Sequence, residues 1–293
     1  MDLWLIIYSS ITYCINRALY NTTVYTNSTA NYPSHRELLH LNTMTTLNEQ
    51  LATLTENYSP CDVSDALIKL QKAPEGSTAR AGYLADLVPF SPTTGWNETM
   101  AKVAAPATTF KFLAKNVSPP SIATENPQKH GFPLGKHWVD YVGEFQASDP
   151  SGAGSIVVIE QPENQHCAVT GGIMATRMKA LGIKATVVGG RVRDLRELKA
   201  TGLPIWARAT STVGTNAEAK AGARDVPISI GGVTVSPGDI IFCDPLEGVV
   251  AIPRELLGQV LELMPKLTTM DGHAKEAVAQ GMSVTDAFKK FRG

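Results

Sequence analysis

Hydrophobic positions along the chain change their period several times, and each change predicts a different kind of element. Leu47, Leu51 and Leu54 recur at helical spacing, and residues 45–56 and 62–72 read as two helices. Pro60 falls in the break, with Asp62 or Ser64 placed to cap the second helix. Over residues 74–150 no period is sustained. Pro, Gly, Ser and Thr recur there, "VAAPATTFKFLA" is the one strand-like run, and the region reads as a loop-rich active-site rim or an inter-subunit arm. From residue 154 the pattern sharpens. "SIVVIEQP" reads as a strand ended by a proline, "VTGGIMATRMKALG" as a helix entered at Gly171-Gly172 and closed on Gly182, and "IKATVVGG" as a buried strand stopped by two glycines. "RDLRELKATG" is then a short helix closed by Gly202, and "LPIWARA" a further strand. This β-α-β-α-β alternation predicts a partly parallel sheet with helices packed on it. "VPISIGGVTVSPGDIIFCDPLEGVVAIP" reads as four strands, the first two joined by a Gly231-Gly232 hairpin. The tail from Arg254 is helical, with Leu256, Leu257, Val260 and Leu261 on one face. The class is α/β with a mixed sheet and an antiparallel portion.

Residues 1–43 break this picture. They are rich in Asn, Thr, Ser and Tyr, and their apolar run, Leu3 to Tyr8, is far shorter than the ~20 residues that span a bilayer. Asp2 stands where a secretory leader would carry a basic residue. The expectation is a poorly ordered or spurious extension over 1–43, a single catalytic domain over 44–293 beginning at Met44, and no membrane association. Asn-x-Ser/Thr triplets at Asn21, Asn27, Asn57, Asn97 and Asn116 are what chance yields in a Thr-rich chain. Twenty-six Lys and Arg against 27 Asp and Glu leave a net charge of −1, so no global field attracts a nucleic acid. Cys14, Cys61, Cys167 and Cys243 form no CxxC pair, which removes the usual evidence for a zinc knuckle or dithiol site and fits a reducing, cytoplasmic setting.

Two segments combine backbone donors with charged side chains. Gly171, Gly172, Ile173 and Met174 begin a helix, whose first amides lack intrahelical partners and carry the positive end of its dipole; two glycines leave room for an anion. Arg193, Asp194 and Glu197 follow the next strand. Asp194 and Glu197, three apart, would share a helical face and suit a hard ion such as Mg²⁺ or Mn²⁺, while Arg193 offers a planar fork to an anionic substrate. Taken singly, each segment is better explained as a tight turn or as acids complementing a helix dipole. Taken together they gain weight, because consecutive parallel strands would bring them side by side at the sheet's carboxyl edge. The combination suits a small 2-oxo acid.

The Gly172-x20-Arg193-Asp194-x2-Glu197 spacing resembles the RraA-like family, which includes the regulator of ribonuclease activity A and the 4-hydroxy-4-methyl-2-oxoglutarate aldolases. "SDAL" at Ser64–Leu67 and the stretches on either side of residue 215 extend the likeness over roughly residues 45–265. The resemblance implies a compact α/β/β sandwich, assembled as a homotrimer with sites at subunit interfaces. It also implies a divalent-metal-dependent (Mg²⁺ or Mn²⁺) lyase that cleaves 4-hydroxy-2-oxo diacids to pyruvate and decarboxylates oxaloacetate. Gly171, Gly172, Ile173 and Met174 would hold the substrate through their amides, Arg193 would bind it, and Asp194 would ligate the metal. Family aldolases commonly carry Asp where this chain has Gly172, and Glu197 would compensate as a metal or metal-water ligand. A non-enzymatic ribonuclease regulator is the alternative from another class. A Schiff-base aldolase would need a buried lysine, and Lys179, Lys184 and Lys199 are expected to be exposed.

Overall fold

In the computed structural model, residues 46–71, 80–95, 100–133, 135–144 and 154–292 are described. The predicted extension over 1–43, and Met44 as the start of the domain, lie outside them. Helix α1 (Leu47–Asn57) opens with a capping box, Thr46 and Glu49 each satisfying the other's backbone N–H. Helix α2 (Pro60–Leu70) repeats the device with Ser59 and Asp62. The cap is thus Ser59 rather than Asp62 or Ser64, and Pro60 starts the helix, where its missing N–H would have had no partner anyway.

The central sheet is built from β1 (Val88–Ser91), β2 (Val103–Ala114), β3 (Ile156–Glu160), β4 (Ala185–Val192), β5 (Ile205–Thr210), β6 (Ala219–Arg224), β9 (Ile240–Asp244) and β10 (Gly248–Ile252). Its order is β1-β5-β4-β3-β2-β9-β10, with β6 also on β2. Strands β3 to β5 are parallel neighbours, as the alternation predicts, and β2 adds to them in parallel. Between β2 and β3 lie the short helices α3 (Ser121–Glu125) and α4 (Pro127–His130) and a 3₁₀ turn at Trp138–Tyr141. Helices α5 (Gly172–Ala180) and α6 (Leu195–Thr201) cross over on one face, and the β7 (Ile228–Ile230) and β8 (Val233–Val235) hairpin contributes to the core on the other. The predicted helical tail is two helices, α7 (Leu257–Ala279) and α8 (Val284–Phe291). Twelve-residue β2 makes the sheet curl: Val103–Pro106 pair antiparallel with β9, Ala107–Lys111 pair parallel with β3, and Phe110–Ala114 pair antiparallel with β6.

Three apolar clusters follow. One lies between α5, α6 and the sheet and includes Phe110, Phe112 and Trp138. A second surrounds Trp206 and the β7–β8 hairpin, and a third packs α1, α2 and α7 on β9 and β10. Burying each such large side chain stabilises by about 1.5–3 kcal/mol. The fold class stands as expected, with two additions and one correction. Strand β1 carries Pro89, which is tolerated because β1 is an edge strand. Strand β6, "AKAGAR", has little intrinsic β preference and exists because it pairs with β2. Gly189 and Gly190 do not stop β4; the register against β5 shifts between Val188 and Arg191 and the strand runs on to Val192. Among the described residues no helix is long and apolar enough to cross a membrane.

Candidate active site

β3 and β4 are paired in parallel from Ile156–Ala185 to Ile159–Val188, so their loops leave the same edge of the sheet. The two junctions are then stitched together. The Val169 N–H donates to the Arg191 carbonyl and the Arg193 N–H to the Thr170 carbonyl, both at 3.0 Å, and Thr170 bridges Val192 in parallel. Directly beyond, Gly171 leads into α5 and Asp194 into α6. The two predicted segments therefore meet.

Asp194 does not belong to the helix that follows it. Its backbone is left-handed (φ 58°, ψ 44°), and its side chain makes no bond to the first turn of α6. Such a conformation costs a non-glycine residue about 1–3 kcal/mol. Here it turns the carboxylate toward the other helix, where Oδ2 accepts the Gly172 N–H at 3.2 Å and lies 3.3 Å from Arg193 Nε. Asp194 thus caps α5 instead of α6, and it does not share a helical face with Glu197 as the spacing predicts. The two carboxylates still approach the same glycine pair. A Cβ added at Gly172 would overlap the Glu197 carboxylate, and one at Gly171 would stand 2.5 Å from Asp194 Oδ2.

The Arg193 side chain lies across the cradle. A Cβ at Gly214 would meet its Nη1 at 2.9 Å, so glycine at 214 opens the slot that the guanidinium occupies. Its Nη groups make no hydrogen bond among the described residues, and neither do the Gly171, Ile173 and Met174 amides; the Gly172 amide is already engaged by Asp194. Below this, Glu218 ties down the loop entering the cradle by accepting the His166 and Cys167 N–H groups at 2.6 and 2.8 Å. The Cys167 and His166 amides hold the Glu218 carboxyl below its ordinary value. Lys179, Lys184 and Lys199 are exposed, as expected.

These groups face a cleft of about 710 Å³, lined by Gly171, Ile173, Met174, Arg193 and Asp194 on one side. Gly172 and Glu197 do not line it; the Glu197 side chain packs on Gly172, next to the lining residue Gly171. The opposite side holds Phe112, Phe132 and Trp138, with the Trp138 ring edge-on to Phe112 at 5.4 Å. Lys220 on β6 also lines the cleft, half-buried, and its side chain makes no hydrogen bond or ion pair among the described residues. Sequence reasoning missed Lys220, Trp138 and Gly214. Lys220 reaches the cleft only because β6 pairs with β2, Leu113 opposite Lys220.

The donor set is compatible with a hard divalent cation. Asp194 and Glu197 are the carboxylates that could offer oxygen ligands, and Oδ1 of Asp194 makes no hydrogen bond among the described residues. No group of three or more His, Cys, Asp or Glu that could hold a metal occurs among the described residues. A cation here would keep several waters, as Mg²⁺ commonly does when one or two carboxylates bind it.

Comparison with known proteins shows the family and the fold. The family model described as "RraA-like: Aldolase/RraA" matches residues 61–251. A Halalkalibacterium halodurans protein named "Putative 4-hydroxy-4-methyl-2-oxoglutarate aldolase" is 32% identical over 149 residues, 51% of this chain and 70% of that one. Protein DlpA of Legionella pneumophila is 32% identical over 138 residues, 47% of this chain but only 22% of its own length. Among solved structures, an uncharacterized Pseudomonas syringae protein aligns with a TM-score of 0.58 at 24% identity, covering 83% of this chain and 98% of that one. Streptomyces coelicolor RraAS2, described as an unusual member of the RNase ES inhibitor RraA protein family, aligns with a TM-score of 0.56 at 22% identity, covering 79% and 96%. These two structural likenesses speak to the fold.

Proposed function

This chain belongs to the RraA-like family, and from that premise we propose that it is a divalent-metal-dependent lyase. It cleaves 4-hydroxy-2-oxo diacids of the 4-hydroxy-4-methyl-2-oxoglutarate type to pyruvate and decarboxylates oxaloacetate. The observation carrying this reading is the convergence of Arg193, Asp194 and the free amides at the start of α5 on one cleft.

In this reading the C1 carboxylate of the substrate docks on the Ile173 and Met174 amides, at the positive end of α5. Arg193 lies beside the C2 oxygen. When the C3–C4 bond breaks, its electron pair moves onto C3 and the C2 oxygen to give the pyruvate enolate, while the C4 hydroxyl gives its proton to solvent and becomes a carbonyl. A proton from solvent then returns to C3 to give pyruvate. The Arg193 guanidinium stabilises the negative charge that develops on the C2 oxygen in the transition state and remains on the enolate. Oxaloacetate follows the same course with carbon dioxide as the departing fragment. Asp194, assisted by Glu197, would hold a Mg²⁺ or Mn²⁺ ion, which when bound supplies Lewis-acid polarisation of the 2-oxo group. The proposal extends to assembly as a homotrimer with sites at subunit interfaces, in which a neighbouring protomer would cover Ile173, 75% exposed beside the cleft.

The test is a pyruvate-release assay on oxaloacetate and on 4-hydroxy-4-methyl-2-oxoglutarate. Activity is expected with Mg²⁺ or Mn²⁺, abolished by EDTA and restored by re-addition; absence of metal-dependent pyruvate release from either substrate rejects the reading. Two further outcomes are expected. Gly172→Asp alone should lose activity, because Glu197 already fills the space a side chain at 172 needs, whereas Gly172→Asp with Glu197→Gly should recover much of it. Lys220 has an unpaired cation to offer the distal carboxylate of a diacid, so Lys220→Ala should raise KM about tenfold with little change in kcat. Steady-state kinetics of the double-mutant cycle and of the Lys220 variant check both.

A further inference from the structure

A second cleft, of about 290 Å³, shares no lining residue with the first. It lies by the carboxyl ends of β3, β4 and β5 and is walled by Gln161, Gln165, Arg191 and Arg208. Along β5, Ala207 joins the core beneath α5 and α6 and Trp206 joins the core of the opposite face. Arg208 follows on the face of Trp206 and is half-buried. Its Nε is fully buried with no hydrogen-bond partner, and no carboxylate pairs with the guanidinium among the described residues. An arginine does not escape such a position by losing its proton, and a buried charged donor left without an acceptor is costly.

The neighbouring arginine, by contrast, is rigidly held. The Arg191 N–H donates to Gln161 Oε1 at 2.8 Å, its Nε to the Gln165 carbonyl at 3.2 Å and its Nη1 to the Thr210 carbonyl at 3.0 Å. Gln161 is fixed in turn by donating from Nε2 to the Cys167 carbonyl at 2.8 Å. Nη2 of Arg191 is left over. Against these two guanidinium groups the cleft holds one carboxylate, Glu163, which is exposed and makes no ion pair among the described residues. His166 at the margin adds no negative charge.

We propose that this second cleft is a binding site for a small oxyanion, a phosphate or a small carboxylate, gripped by Arg208 with Arg191 alongside. The Nη groups of Arg208, which are not fully buried as Nε is, match either oxyanion through paired N–H donors, and the cleft is too small for a nucleotide-sized ligand beside its own side chains. The site does not depend on the lyase reading of the first cleft.

The test is isothermal titration of the full-length protein with inorganic phosphate and, separately, with oxalate. Arg193→Ala removes the arginine of the first cleft, where Lys136 and Lys220 remain, and is expected to leave binding of at least one of the two anions in place. Arg208→Met should weaken that binding at least tenfold, and Arg208→Lys should fall between the two, since it keeps the charge and loses the fork. Glu163→Gln should tighten binding severalfold, a readout that holds even where Arg208→Met fails to fold. The tighter of the two anions identifies the source class. Failure of the Arg193→Ala protein to bind either anion, or equal affinity with Arg208→Met, overturns the proposal. So does sedimentation showing that Arg208→Met changes the assembly while the unaltered protein binds neither anion, because a second copy's carboxylate would then be the partner of Arg208.

Discussion

Arg193→Ala should lower kcat for pyruvate release from oxaloacetate by about 10²–10³-fold, the usual loss when one preorganised donor to a developing oxyanion is removed. The guanidinium lies in a slot opened by Gly171 and Gly214 and reaches the cleft with its Nη groups free. Its side chain is 43% exposed and takes no part in a core cluster, so the variant should unfold within about 0.5 kcal/mol of the parent. Activity and thermal melting measured on one preparation separate the two effects. Arg193→Lys should recover little, because an ammonium cannot reproduce the planar pair of donors. A non-enzymatic ribonuclease regulator predicts the opposite pattern, with partner binding indifferent to the same replacement.

Arg224→Ala should cost about 3 kcal/mol of stability, since removing a buried cation strands the Gly131 and Gln128 carbonyls that accept from it. Arg224 is 4% exposed. It donates to the Gly131 carbonyl at 3.0 Å, to the Gln128 carbonyl, and to Glu144 at 3.0 Å, and it stacks over the Tyr141 ring at 4.4 Å. Each of these partners lies in the 121–144 segment, so a single β6 side chain pins down the stretch that carries Phe132 and Trp138. The loss corresponds to a melting temperature lower by about 6–12 °C for a domain of this size. Because the same stretch walls the cleft, KM for the substrate should rise as well. A normal melting profile in Arg224→Ala would show that the segment is held by its aromatic packing instead.

How far the fold could be read from the chain depended on where each element's stability originates. Strands β3, β4 and β5 and helices α5 and α6 carry their own apolar runs, and they appear where the pattern placed them, save that β4 runs past Gly189-Gly190 to Val192. Strands β1 and β6 do not. Pro89 and the alanine-glycine composition of β6 argue against strands locally, and only pairing with β5 and β2 outweighs that. The site divides in the same way. Arg193, Asp194 and the glycine pair lie at predicted strand-to-helix junctions, so a local reading could find them. The left-handed turn at Asp194, which hands its carboxylate to the adjacent helix, depends on contacts 22 residues away. Lys220 and Trp138 face the cleft through long-range pairing and packing that no local period records.

The capping role of Asp194 has a consequence for how this protein can be altered. One carboxylate oxygen already serves an amide of the neighbouring helix and the arginine beside it, so removing the acid disturbs the anion cradle and the guanidinium along with any metal affinity. An isosteric amide would keep the acceptor and discard the charge, which separates scaffolding from chemistry in a way that deletion to alanine does not. Gly172 and Glu197 are bound by a similar constraint of shared space, and sequence drift at these four positions should therefore proceed by paired exchange.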